Sequence, residues 1–442
     1  MADNTPTDHR GELEPFHPRP RSSRRKFLGL AAGGFAATAG FAGVYARDTS
    51  LSEAVENAVT ADTSTTTTRP LIASEDVKGR TLVVIELQGG NDGLATVVPR
   101  NAGVLYDRRP DLHVADEELL DFTDDYGWNP RLAGIAGHGV AALVGLGTTT
   151  NPDGSHFEME RRWWAGKSNG NDLPATGFLG RLCDQLVEDQ PVTGLSLGSG
   201  PSPALASANA VTVGMSDPEA SWFLRSQDAW FTNLRRGLRD MAGTPGGAAV
   251  TSLSSARTGL NDTLAFADVL GEIDDERVRE RYPNTNLSRS LGVAAQLIVQ
   301  DAGLRVIHIS HGGFDTHSGG RGEHDYLLEQ LGEGMGAFLS DLGELGVADS
   351  TLVCTTSEFG RRVPQNGNGT DHGAAGLALL AGPVASGIHG EAPSLTDLHD
   401  DNLVATVDFE EYYATIAERW FGIHSGDVID SAPAPIDGLI TA

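Results

Sequence analysis

Five short segments of this 442-residue chain combine residue types that hold metals or move protons. They are Gly89-Gly90-Asn91-Asp92-Gly93, Asp153-Gly154-Ser155-His156-Phe157, Gly313-Phe314-Asp315-Thr316-His317, Ser357-Glu358-Phe359-Gly360-Arg361-Arg362 and Gly369-Thr370-Asp371-His372-Gly373. Each offers a carboxylate, an imidazole or both beside glycine, which lets the backbone turn sharply and approach a ligand. Asp315 and His317 are two apart, so an extended backbone points both to the same side. Carboxylate oxygen with imidazole nitrogen suits zinc or manganese, whereas an all-oxygen set suits magnesium or calcium. Any one of these segments also reads as a capped or pinned loop; their recurrence is what points to a metal or anion site. Ser155-His156 is a poor catalytic dyad, because neighbouring side chains on an extended segment point apart. Arg361 and Arg362 either pair with acidic neighbours or bind an anionic ligand. His308 reads as a core histidine, and Trp163 and Trp164 as wall.

The elements that must position these residues follow from apolar periodicity. Thr81–Leu87 is a nearly continuous β-rich run, as expected of a strand covered on both faces, and ends directly at Gly89. Similar runs occupy Val140–Leu146, Arg305–Ser310, Thr351–Ser357 and Leu377–Ala381. Helical patterns, Leu287–Leu304 and Tyr326–Leu345, separate several of them. This alternation predicts an α/β fold, a mainly parallel central sheet with helices on both faces. In such sheets ligands collect at the carboxyl ends of the strands, where the polar segments fall. Residues 200–290 read as strandless helices, Pro218–Met241 and Leu253–Ile273, expected to form a helical insertion that caps that edge.

Acidic residues outnumber basic ones by 60 to 32, giving −28, a field that repels nucleic acid and anionic lipid. Cys183 and Cys354 match no metal or redox spacing and read as two buried free thiols, with a single bridge between them as the other reading. Near the amino terminus, Ser23-Arg24-Arg25-Lys26-Phe27-Leu28 places paired arginines before an uncharged stretch, Phe27–Val44, rich in glycine and alanine. Val44-Tyr45-Ala46 then offers a cleavage site. Together these predict a twin-arginine signal peptide over 1–46, with a retained membrane anchor as the other reading. The expected consequence is export to periplasm, cell surface or medium, with the twin-arginine translocase as a transient partner. Residues 47–79, with a threonine run at 63–68, read as a flexible linker to a domain over 80–442.

As an ordered set, these blocks resemble the domain-of-unknown-function 1501 family of exported bacterial proteins. The resemblance runs from about residue 80 to 390. It implies the alkaline phosphatase/sulfatase-like superfamily, with one or two divalent ions (Zn, Mn, Mg or Ca) at the carboxyl edge. It further implies hydrolysis of phosphate or sulfate esters, with an anionic small molecule or polymer as substrate. By that resemblance Asp92, Asp315, His317 and His372 are metal ligands, joined by Glu358 or Asp371. Ser155 is the nucleophile, and Arg361 stabilises charge on the transferring group. Phe359 departs from the superfamily pattern, which usually has a histidine there. The alternative is a non-catalytic exported binding or assembly module with an incomplete metal site.

Overall fold

The computed structural model describes residues 77–169, 172–187, 192–198, 200–216, 228–243 and 251–442. The expected signal peptide, nearly all of the expected linker and the expected helix start at Pro218 lie outside the described residues. Among the described residues no helix is long and apolar enough to cross a membrane.

Fourteen strands are described: β1 (Thr81–Gln88), β2 (Val97–Pro99), β3 (Leu120–Asp121), β4 (Tyr126–Trp128), β5 (Ala141–Gly147), β6 (Gly194–Leu197), β7 (Thr212–Met215), β8 (Val306–Gly312), β9 (Thr351–Thr356), β10 (Arg361–Asn366), β11 (Gly369–His372), β12 (Ala375–Ala381), β13 (Gly387–His389) and β14 (Val407–Asp408). Nine form one sheet in the order β13-β5-β12-β9-β1-β8-β6-β7, with β14 also paired to β5. Every pairing in it is parallel except those of β12, which runs against β5 and β9. The fold is therefore a mostly parallel, mixed α/β sheet with helices around it.

The period-two alternation of β1 divides the core. Val83, Ile85 and Leu87 face one apolar layer, which includes Leu291, Leu328 and Phe338 of two long helices. Leu82 and Val84 face the other, with Met159, Leu182 and Tyr412. Burying a leucine or phenylalanine fully contributes about 1.5–3 kcal/mol, so both layers anchor the central strands strongly. The helices used below are α1 (His156–Ala165), α2 (Ala229–Gly243), α3 (Thr251–Leu270) and α4 (Gly320–Leu345).

The segment expected to be wholly helical is not. β6 precedes it and β7 lies inside it, both too short to stand out as apolar runs. Helices α2 and α3 follow, and Phe266 and Leu270 of α3 join the first core layer. Burial of these two residues holds α3 against that layer. Both cysteines are buried and free.

Candidate metal centre

Strands β1, β8 and β9 lie side by side and end at one edge, delivering Gly89–Asp92, Phe314–His317 and Ser357–Arg361. β5 has the same direction, and its following loop leads to Ser155 and α1. β12 runs the other way, so the residue that reaches this edge is the one before the strand, His372. Two glycines allow the loops to meet. Gly89 has φ +115°, and a Cβ there would lie 2.3 Å from the Asp315 nitrogen. A Cβ on Gly90 would lie 2.4 Å from the Phe359 ring.

At the meeting point stands the Asp315 carboxylate. Its Oδ1 is 2.9 Å from His372 Nε2, 3.1 Å from His317 Nε2 and 3.4 Å from His156 Nε2. His317 Nε2 and His372 Nε2 are 2.7 Å apart. The ligand atoms of His156, Asp315 and His372 all lie within 4.8 Å of one another. Each imidazole has its other nitrogen against an oxygen. His156 Nδ1 donates to Glu358 Oε1 at 2.8 Å, and His372 Nδ1 donates to the Gly154 carbonyl at 2.6 Å. His317 Nδ1 is 3.5 Å from Asp371 Oδ1. With Nδ1 carrying the proton, a neutral imidazole turns a bare Nε2 lone pair toward Asp315. Lone pairs facing a carboxylate oxygen repel unless a proton or a cation lies among them. A four-coordinate ion with bonds of about 2.0–2.1 Å separates neighbouring ligand atoms by roughly 3.3 Å, close to the spacings here. The donor set fits a divalent ion, and its nitrogen-rich character favours zinc or manganese over calcium or magnesium.

Partial burial would raise the Asp315 pKa. Hydrogen bonds with His372 and Arg361, with the charges of His156 and Arg361, overcome it and bring the group down to about 2. The Glu358 hydrogen bond raises the His156 pKa against a smaller opposing effect of burial. Phe359 forms the floor, its ring centroid 4.3 Å from His372 and 4.9 Å from His156.

The expected ligands divide into three groups. Asp315, His317 and His372 converge. Glu358 and Asp371 stand behind histidines instead of among the ligand atoms, because the Gly89 amide also donates to Glu358 and the Asn366 amide to Asp371. Asp92 is turned elsewhere: its Oδ2 pairs with Arg109 Nη1 at 2.6 Å, both side chains being nearly inaccessible. Arg361 is likewise a brace and not a substrate contact. Its buried guanidinium donates to the carbonyls of Gly89, Gly90, Phe314 and Thr370 and to Asp315 Oδ1, tying three loops together. Ser155 is exposed at the N-cap of α1, and its hydroxyl is not used in capping. His308 is buried and pairs with Glu86 at 3.3 Å. Trp163 is wall, while Trp164 Nε1 donates to Glu86 Oε1 at 2.5 Å.

His156 is the site residue that its own spacing did not reveal. The dyad argument assumes an extended backbone, but His156 opens a helix, and a helical first residue points independently of its N-cap neighbour. The available signal was a strand-end loop, Asp153-Gly154-Ser155, running into a helical pattern. A cavity of about 530 Å³ opens at the far end of α1, lined by Lys167, Ser168, Asp408 and Glu410 among others. Its two buried-edge carboxylates are occupied: Thr149 donates to Asp408, and Ser168 and Ser431 donate to Glu410.

The fold is thus a mostly parallel α/β sheet with an imidazole–carboxylate cluster, a candidate metal site, at its carboxyl edge. The chain belongs to the family described as "Protein of unknown function (DUF1501)", whose model matches residues 134–432. That match starts after β1, so Asp92 lies outside it. No curated protein matches the chain. Among solved structures it is similar to Ps i-CgsB in complex with k-i-k-neocarrahexaose (11% identity, covering 80% of this chain and 75% of that one, TM-score 0.37). It is also similar to the PsFucS1 sulfatase from Pseudoalteromonas sp. (13%, 82% and 73%, 0.35). A third is the alkaline phosphatase from the Antarctic bacterium TAB5 (11%, 70% and 94%, 0.30). Overlaps this loose say nothing about the chemistry of this chain.

Proposed function

We propose that the chain is a metal-dependent hydrolase of phosphate or sulfate esters, exported through the twin-arginine route. One observation carries the metal: three imidazoles, each backed at Nδ1 by an oxygen, turn Nε2 toward one carboxylate oxygen. His156, Asp315 and His372 would hold the ion, with His317 beside them. A divalent ion bound there supplies Lewis acidity and makes a hydroxyl nucleophilic near neutral pH. Ser155 offers the hydroxyl, exposed at the amino end of α1, where the helix dipole also favours an anionic group. The ordered motif blocks support the ester class through their resemblance to alkaline phosphatase/sulfatase-like proteins. Arg361 holds the Asp315 carboxylate and the loops in place.

The test is elemental analysis of protein purified without chelators, followed by assay on model phosphate and sulfate esters. Bound zinc or manganese with turnover that Asp315→Ala abolishes is the expected result. A second reading, a binding or assembly module, is favoured by Phe359 in the floor and by Arg109 on Asp92, both of which subtract donors. Metal-free protein that cleaves neither ester class would put that reading first. Export is tested separately: Arg24→Lys with Arg25→Lys should retain folded protein in the cytoplasm, and unimpaired export would sink that part.

A further inference from the structure

Two arginines follow each other at the start of β10, and their surroundings differ. Arg361 stands opposite His372 of β11 and spends its guanidinium on four carbonyls and Asp315. Alternation along the strand sends Arg362 to the other face, where it is half-buried. There its Nε donates to the His372 carbonyl at 3.2 Å, while its own carbonyl accepts from Arg109. Among the described residues Arg362 meets no carboxylate, and both of its Nη groups lack a partner. The other arginines around the centre are engaged by acids: Arg109 by Asp92, Arg162 by Glu158 at 2.9 Å and Arg161 by Glu158 at 3.6 Å. An unpaired guanidinium is unexpected where acidic residues outnumber basic ones by 60 to 32. His372 links it to the centre. The imidazole reaches Asp315 Oδ1 through Nε2 and, through Nδ1, the Gly154 carbonyl next to Ser155, while the main chain of the same residue holds Arg362.

We propose that Arg362 binds the anionic oxygens of the substrate beside the metal centre, a role that rests on the ester hydrolysis proposed above. The ligand class is a tetrahedral oxyanion, a phosphate or sulfate group. A planar guanidinium fork matches two such oxygens at once, and charge-assisted bonds of this kind are the strong ones. The need for a cation here is electrostatic. A net charge of −28 opposes the approach of an anion, and Asp315, Glu358 and Asp371 add negative charge at the centre itself. Arg361 cannot answer that need, because its buried donors are already used. Arg362 can: the Nε bond to His372 orients the fork and leaves both Nη groups for the ligand.

The experiment titrates inorganic phosphate, and separately inorganic sulfate, into the full chain loaded with zinc or manganese, comparing wild type with Arg362→Gln by calorimetry. The dissociation constant of the anion that wild type prefers should rise by about 10–100-fold in the variant, the range for a hydrogen bond to a charged group. Equal constants in the two proteins, or no binding of either anion by loaded wild type, would overturn the role. Metal content separates binding from bracing. If Arg362 served only to hold His372, Arg362→Gln would lose metal along with the anion, and that joint loss also overturns the proposal. Should Arg362→Gln fail to fold, Arg362→Lys keeps the charge and a donor for the His372 carbonyl but not the fork, and a smaller rise is expected. Ester turnover keeps the two readings apart. Turnover by wild type with an unchanged anion constant in the variant removes Arg362 and leaves the hydrolase standing. No turnover with an anion constant that depends on Arg362 removes the hydrolase and upholds the oxyanion contact.

Discussion

Asp92 and Asp315 follow two paired strands, β1 and β8, at the same edge of one sheet, yet a guanidinium seals the first while imidazoles surround the second. Around Asp92 the surroundings are dry. Arg109 is itself fixed by the Val363 and Arg362 carbonyls, and His324 lies near, bonded to Asn91. Around Asp315 the carboxylate is about half accessible, and the facing groups are neutralisable nitrogens. The same residue type after neighbouring strands thus becomes a structural ion pair or the proposed ligand according to what reaches it. A permanently charged guanidinium leaves no room for a second cation, whereas an imidazole can give up its proton and coordinate one.

The largest effect expected from breaking this contrast is on the buried pair. Arg109→Met should cost about 3–5 kcal/mol in denaturant unfolding, because it strands a buried carboxylate, and should leave metal uptake intact. A cost under about 1 kcal/mol, the surface-pair range, would show that water reaches Asp92.

Asp315→Ala should do the reverse. Metal content should fall to background, and the stabilisation by metal, about 2.7 kcal/mol at a hundredfold excess over its dissociation constant, should disappear. Melting curves with and without chelator, several degrees apart for wild type, should then coincide for the variant. Retained metal in Asp315→Ala would move the centre elsewhere.

A smaller effect separates ligands from the groups behind them. Glu358→Gln keeps a hydrogen-bond acceptor for His156 but weakens it, so metal affinity by calorimetry should drop about 10–100-fold without loss of stoichiometry. Complete loss of binding would make Glu358 a ligand after all.

The smallest effect is the acid dependence of stability. Burial alone would raise the Asp92 pKa, but Arg109, then His324, overcome it and hold it below the ordinary carboxylate value. A depressed folded pKa means that this stabilisation is fully present above the unfolded value of about 3.9 and is lost as pH falls through the folded one. Wild type should therefore lose this contribution only below about pH 4. In Arg109→Met burial is left with less opposition, and the loss should begin at higher pH. Matching acid-unfolding curves for the two proteins would contradict that assignment.

Much of the sheet was legible because its central strands are covered on both faces, and such strands are continuous apolar runs. Thr81–Leu87 and Thr351–Ser357 differ from their strands by one residue at an end. β6 and β7, four residues each, were illegible because a short strand differs little from a loop in composition. The direction of β12 was also illegible, since antiparallel and parallel buried strands share one pattern. That direction is what brings His372 to the carboxyl edge. For the site, the Asp315–His317 spacing was informative because both belong to one loop. The roles of Glu358, Asp371 and Arg361 depended on partners tens to hundreds of positions away.

Residue type, glycine spacing and apolar period determined by themselves that this chain builds an α/β sheet with imidazoles and carboxylates at its strand ends. Those properties are local, set by which side chains a backbone segment can bury and which it must turn to a loop. Only the tertiary structure decided which acids meet which bases. Asp92 found Arg109, 17 positions on, whereas Asp315 found His156 and His372, each far along the chain. Charge pairing depends on distances of a few ångströms in a low-dielectric interior, and the packing of helices and loops onto the sheet sets those distances.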